Sequence, residues 1–182
     1  MKKKLIFICL FLIIPIKAFA LIEVDITRGN LNPLPLAVSP LSIDENSKKS
    51  FEKILDKENI GSEISIIVEN NLRTSGLFNP LNKDAFLQAP DIANLKPRFE
   101  DWNLIKAQAL ITGKVTYIDE KLRVEFRLWD VLAGKEMMAL AFTTVPNNWR
   151  RVGHIITDKV YERLTGEKGY FDTRIIYVAE EG

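Results

Sequence analysis

The sequence predicts an α+β fold, a mixed and mostly antiparallel sheet covered on its apolar face by two amphipathic helices. Three observations carry that prediction. Between Asn147 and Gly166, the residues Trp149, Val152, Ile156, Val160 and Leu164 recur at the 3.6-residue spacing of one helix face. Ile60, Ile64, Ile67, Val68 and Leu72 do the same ahead of Gly76. From Ala107 to Val145 the period drops to two: Leu122, Val124, Phe126 and Leu128 point one way, and Arg123, Glu125, Arg127 and Trp129 the other. Laying both helices on the strand stripe buries all three apolar surfaces together.

The amino terminus stands outside that core. Lys2, Lys3 and Lys4 precede an apolar run from Leu5 to Ile14, and Ala18-Phe19-Ala20 has the small-x-small pattern cleaved by a signal peptidase. The run is shorter than the ~20 residues that span a bilayer. Residues 1–20 are therefore expected to be a signal peptide cut between Ala20 and Leu21, leaving no integral membrane span. Cys9, the single cysteine of the chain, leaves with it. A mature chain without a thiol excludes a disulfide scaffold, a thiolate metal site and a cysteine nucleophile. Lys2, Lys3, Lys4 and Lys17 leave too, which takes 25 basic residues to 21 against 24 acidic ones. That balance argues against a nucleic-acid partner, which needs a strongly basic face. The 182 residues, 47% of them hydrophobic, suffice for one domain with a sizeable core.

The mature chain opens Leu21-Ile22-Glu23-Val24-Asp25-Ile26-Thr27, in which Ile22, Val24 and Ile26 alternate with polar residues as in a half-buried strand, until Arg28-Gly29-Asn30 breaks the pattern. Such a strand can belong to the domain's own sheet, or it can leave the domain and add to the edge of a partner's sheet. Between Pro35 and Pro40, Leu36-Ala37-Val38 allows only a brief strand. Residues 42–57 read as a polar surface excursion with about two helical turns from Lys49 to Lys57. The next helix begins near Asn59 or Ser62, and Gly76 offers it a left-handed cap over which Leu77 folds back. Phe78-Asn79-Pro80-Leu81 reads as a tight exit, Pro90 and Pro97 mark a surface connection, and Phe99, Trp102 and Ile105 indicate a short helix over Arg98–Lys106. Asp119-Glu120 and Ala133-Gly134 are the turns of a three-stranded meander. Asn147 and Asn148 are placed to cap the last helix, and Gly166 to end it. After Gly169, the residues Phe171, Ile175, Ile176, Tyr177 and Val178 read as the opening of another strand.

Catalytic chemistry finds little support. The one histidine, His154, has Asp158 one turn later; two ligands do not make a metal site, and the pair reads as surface hydrogen bonding. Asn71, close to its helix stripe, reads as satisfied near the helix end. No glycine-rich phosphate loop occurs, since Gly113 and Gly134 are isolated. Asp119/Glu120 and Glu180/Glu181 are adjacent carboxylates in a turn and a tail, suited to solvation and not to acid–base work. No catalytic residue, metal or cofactor is expected, and the chain is read as a non-enzyme.

Four segments in order carry a resemblance. Leu72-Arg73-Thr74-Ser75-Gly76-Leu77-Phe78-Asn79-Pro80-Leu81, Ile111-Thr112-Gly113-Lys114-Val115, Asn148-Trp149-Arg150-Arg151 with His154, and the run from Val160 to Val178 resemble the TolB family, the periplasmic component of the Tol-Pal system. With the leader, the likeness spans essentially the whole chain. It implies an amino-terminal α/β domain at residues 31–168, preceded by a partner-binding peptide at 21–30 and followed at 169–182 by the beginning of a β-propeller that stops after its first strand. In the family the propeller binds the outer-membrane lipoprotein Pal and is exploited by colicins, so Pal binding is expected only where the propeller is present. The amino-terminal peptide engages the carboxy-terminal domain of TolA, which here implies Leu21, Ile22, Glu23, Val24, Asp25, Ile26 and Thr27 and favours the strand that leaves the domain. The implied role is a periplasmic link between TolA and Pal that supports outer-membrane integrity and invagination during cell division. The other reading is an outer-membrane assembly accessory that binds through its sheet face.

Overall fold

The computed structural model describes Ile22 and residues 32–173. Strand β1 (Leu34–Val38) is followed by the two-residue β2 (Ser42–Ile43), helix α1 (Glu45–Leu55) and helix α2 (Ile60–Thr74). Strand β3 (Phe78–Pro80), a 3-10 turn at Lys83–Ala85 and the short helices α3 (Pro90–Leu95) and α4 (Phe99–Leu104) lead into the meander β4 (Ala109–Ile118), β5 (Lys121–Asp130) and β6 (Lys135–Thr144). A second 3-10 turn, Pro146–Asn148, opens the long helix α5 (Trp149–Thr165).

The sheet runs β3-β1-β4-β5-β6, with β2 also paired to β4. The meander is antiparallel, β4 and β5 keeping a ten-residue register from Ala109↔Asp130 to Ile118↔Lys121. Asp119 and Glu120 both take positive φ, as a two-residue turn matching the twist of its strands demands. The other half is parallel: β1 pairs β3 and β4, and β2 pairs β4. The fold is therefore α+β with a mixed sheet.

Period-two alternation divides the core between the two sheet faces. On one face Leu36, Val38, Ile111, Val115, Val124, Phe126 and Leu128 meet Phe51 of α1, Ile60, Ile64, Val68 and Leu72 of α2, and Trp149, Val152, Ile156, Val160 and Leu164 of α5. Each apolar stripe read from the sequence is thus buried, only Ile67 being partly exposed. The opposite face has its own cluster of Ala37, Leu110 and Val131 with Ala93 of α3 and Trp102 of α4. The sheet is covered on both sides, where the sequence indicated helices on one. Buried Gln88 secures that second layer, its Oε1 accepting from Trp102 Nε1 and Arg98 N–H (both 3.0 Å) and its amide donating to Lys96 O at 3.1 Å.

Four local expectations are corrected. The polar excursion is an eleven-residue helix, α1, longer than the two turns expected and capped by Asp44, whose carboxylate accepts from Ser47 N–H at 2.9 Å; of its large apolar side chains only Phe51 is fully buried, edge-on to Tyr117, while Leu55 is partly buried and Ile54 exposed. Phe78–Pro80 is a strand, held by parallel pairing to residues more than forty positions earlier. The brief strand begins at Leu34 and includes Pro35 although it lies inside the sheet. Proline's missing N–H does no damage there, because it falls outside the β1–β4 ladder, which starts at Leu36↔Ala109. Lastly, Asn148 stands at the N-cap of α5 but makes no side-chain capping bond; its amide donates to Thr144 Oγ1 at 2.9 Å and a proline-led 3-10 turn leads into the helix.

Candidate functional site

Of the peptide expected to bind a partner, Leu21, Glu23, Val24, Asp25, Ile26 and Thr27 lie outside the described residues, as does the expected cleavage point at Ala20. Ile22 is described, and its side chain is partly buried against the larger core cluster. The peptide is attached just ahead of β1, whose Leu34 N–H donates to Leu77 O at 2.9 Å and whose first residues pair with β3. The edge strand there is only three residues long and contains Pro80. The opposite edge, β6, is ten residues long and mostly exposed.

The polar side of the meander is engaged with itself. Arg123 Nε lies 2.9 Å from Glu125, Arg127 lies 3.3 Å from Glu136 and reaches Asn94 at 3.4 Å, and Trp129 Nε1 donates to Thr112 Oγ1 at 2.9 Å. The hydrogen bond from Arg123 dominates the environment of Glu125 and holds its pKa below the ordinary carboxylate value. On the outer side of α2, Glu69 bridges Arg73 (2.6 Å) and Lys83 (2.9 Å). Partial burial pushes the Glu69 carboxyl up, but the hydrogen bonds and charges of these two cations outweigh it and keep it ionised at a lowered pKa.

His154 and Asp158 do not form the pair expected of them. The Asn71 amide nitrogen of α2 sits 2.9 Å from His154 Nδ1 and donates to Thr157 Oγ1 at 3.2 Å. An amide nitrogen can only donate, so Nδ1 is the acceptor of that contact. Asn71 is therefore not satisfied at its own helix end but ties α2 to α5. Asp158 turns instead to the chain beyond α5, its two oxygens accepting from Phe171 N–H (2.7 Å) and Asp172 N–H (3.1 Å). Nothing in the sequence spacing signals this, because the acceptor and donors are joined by a turn around Gly166, which has φ +76°. Phe171 lies in that irregular segment and not in a strand, while Ile175 to Val178 fall outside the described residues.

Among the described residues no three His, Cys, Asp or Glu side chains gather where they could hold a metal. Nor is any helix among them long and apolar enough to cross a membrane. What the described residues offer is a packed scaffold whose chain beyond α5 is fastened back on that helix by Asp158.

The TolB amino-terminal domain family model matches residues 22–137. The chain belongs to the TolB family. It is 87% identical over 173 residues to the Tol-Pal system protein TolB of Pelagibacter ubique, an alignment that takes in 95% of this chain and 39% of that relative. The chain thus spans about two fifths of the length of the curated relative it matches. Among solved structures, TolB from Acinetobacter baumannii superposes with a TM-score of 0.60 at 20% identity, covering 82% of this chain and 32% of that one. That similarity carries the fold. The carboxy-terminal domain of LpoB from Salmonella enterica superposes with a TM-score of 0.44 at 12% identity, over 64% of this chain and 86% of that one.

Proposed function

We propose that this chain acts as a non-catalytic interaction module of the Tol-Pal envelope system, exported to the periplasm behind a cleaved leader. The observation that carries this reading is the near-complete alignment, at 87% identity, with a Tol-Pal system protein. The partner-binding element is the peptide Leu21 to Thr27, and the partner is the carboxy-terminal domain of TolA. Binding proceeds by strand addition: the backbone supplies the ladder while Ile22, Val24 and Ile26 fill alternate pockets on one side. Ile22 is partly buried against the domain's own core, so the peptide is released from that seat before it adds to the partner. Ordering each released residue costs about 1–2 kcal/mol of backbone entropy. Affinity is accordingly modest, as suits a contact made and broken during envelope constriction. The link to Pal, and with it colicin uptake, belongs to the carboxy-terminal remainder of the longer relatives.

Titration calorimetry tests the reading. A protein beginning at Leu21 is expected to bind the TolA carboxy-terminal domain, and one beginning at Arg28 to lose that binding while keeping its fold. Equal binding by both would move the contact to the sheet face and overturn the peptide assignment.

A further inference from the structure

The stretch Thr165-Gly166-Glu167-Lys168-Gly169 has the composition of a flexible linker, two glycines in a polar run. The structure around it is not that of a linker. Gly166 closes α5 in the left-handed conformation, its N–H donating to Glu162 O at 2.9 Å, and Thr165 Oγ1 takes up the N–H of Glu167 at 3.1 Å. The chain then doubles back along the helix it has just left. Phe171 and Asp172 are held by Asp158, and Asp172 in turn accepts from Arg151, Nε and Nη2 reaching its carboxylate at 3.1 Å. Asp158 and Arg151 are seven positions apart on α5, so the returning segment is fastened at points roughly 10 Å apart along the axis.

Side chains reinforce the backbone. Tyr161 of α5 meets the rings of Tyr170 and Phe171 edge-on, at 5.6 and 5.8 Å, and Phe78 of β3 at 6.1 Å. Phe171 is partly buried against the main core. Gly169 completes the fit: a Cβ there would strike the Cα, Cβ and Oδ1 of Asp158. Glycine serves at this position for close approach and not for mobility, since its φ lies outside the left-handed range.

We propose that Asp158 is a positioning residue that straps residues 169–172 to α5, so that the chain leaves this domain from a fixed point beyond Asp172 and the glycines at 166 and 169 are not a hinge. The domain boundary then lies several residues after 168, and any motion of the downstream chain relative to the domain pivots beyond Asp172. This inference stands on the exit geometry and is independent of the TolA assignment.

Hydrogen exchange on the chain beginning at Leu21 tests it. In the unsubstituted protein the amides of Phe171 and Asp172 are expected to be protected, and Asp158→Ala to speed their exchange at least tenfold while Ile156 and Val160 keep their protection. Trypsin cleavage after Lys168 should accelerate in parallel. Gly169→Ala leaves the carboxylate intact but removes the room for it, and is expected to loosen the same two amides. Unprotected amides in the unsubstituted protein would overturn the proposal. So would unchanged exchange in both variants, or a loss of protection spread evenly along α5, which would make Asp158 a support of the helix and not of the strap.

Discussion

Asp44 shows how much one side chain can decide. The sequence around it is polar, and helix α1 has only a thin apolar stripe, so its start depends on the cap. The carboxylate accepts from the Ser47 hydroxyl at 2.7 Å and from its N–H at 2.9 Å, satisfying a backbone donor that the helix itself cannot pair. Those two bonds, the hydroxyl first, hold the Asp44 pKa below its ordinary 3.8. A folded-state pKa below the unfolded one means that the ionised carboxylate is favoured by folding. Its contribution is complete above the ordinary value and is lost as pH falls through the lowered one. Asp44→Ala is expected to cost roughly 1 kcal/mol at neutral pH, measured by urea unfolding, with the gap to the parent narrowing as the pH drops below 3.8. A gap that stays constant into acid would show that the charge of the cap is not its source.

Between elements, α5 approaches α2 closely at Gly153. Gly153 has no side chain where Ile67 leans in: a Cβ there would come within 2.8 Å of Ile67 Cγ2 and 3.0 Å of its Cβ. Alanine is the better helix former by about 1 kcal/mol, yet Ile67 is β-branched and stiff and cannot turn its γ-methyl aside freely. The clash should win. Gly153→Ala is expected to destabilise by about 1–3 kcal/mol, and Ile67→Ala introduced alongside it should recover part of that loss, a favourable coupling readable in a double-mutant cycle. Additive losses would mean that the helices are not in van der Waals contact there. The same scale explains which elements are legible in the sequence. Helices α2 and α5 and the hairpin β4–β5 announce themselves because each repeats one period over ten residues or more, long enough for burial to impose a pattern. Strand β3 does not, since three residues ending in proline carry no period and owe their conformation to β1. Of the second layer, α4 is legible as the short helix that Phe99, Trp102 and Ile105 indicate, whereas α3 is not, because its buried residues are the small Ala93 and the polar Asn94. Asp158 is visible in the sequence only as a helical neighbour of His154, whereas its partners are set by the turn at Gly166. The alternation in Leu21–Thr27 is a pattern of the sequence alone, and whether such a stretch serves its own sheet or another's depends on which edge is open.

Taken whole, the described residues form one sheet holding two separate apolar clusters, and the question is whether they melt together. Main-face residues such as Ile111 and Leu128 alternate along the same strands with Leu110 and Trp129 of the opposite face. Neither cluster can be exposed without breaking β4, which is hydrogen-bonded to β1, β2 and β5 at once. Shared strands of this kind make unfolding cooperative in a domain of this size. The tryptophans supply the probes, for Trp149 sits in the α5 layer while Trp102 and Trp129 lie with the second cluster. A variant retaining only Trp149 and another retaining only Trp102, the rest changed to Phe, will differ in stability, because both lose the indole hydrogen bond of Trp129 but only the first also loses that of Trp102 to Gln88. Within each variant, however, the fluorescence midpoint in urea is expected to coincide with that of far-ultraviolet circular dichroism. If the Trp102 signal changed at lower urea than the dichroism of the same protein, the α3–α4 layer would be an independently opening unit. The domain would then carry a stable face with α2 and α5 and a second, looser one beneath the sheet.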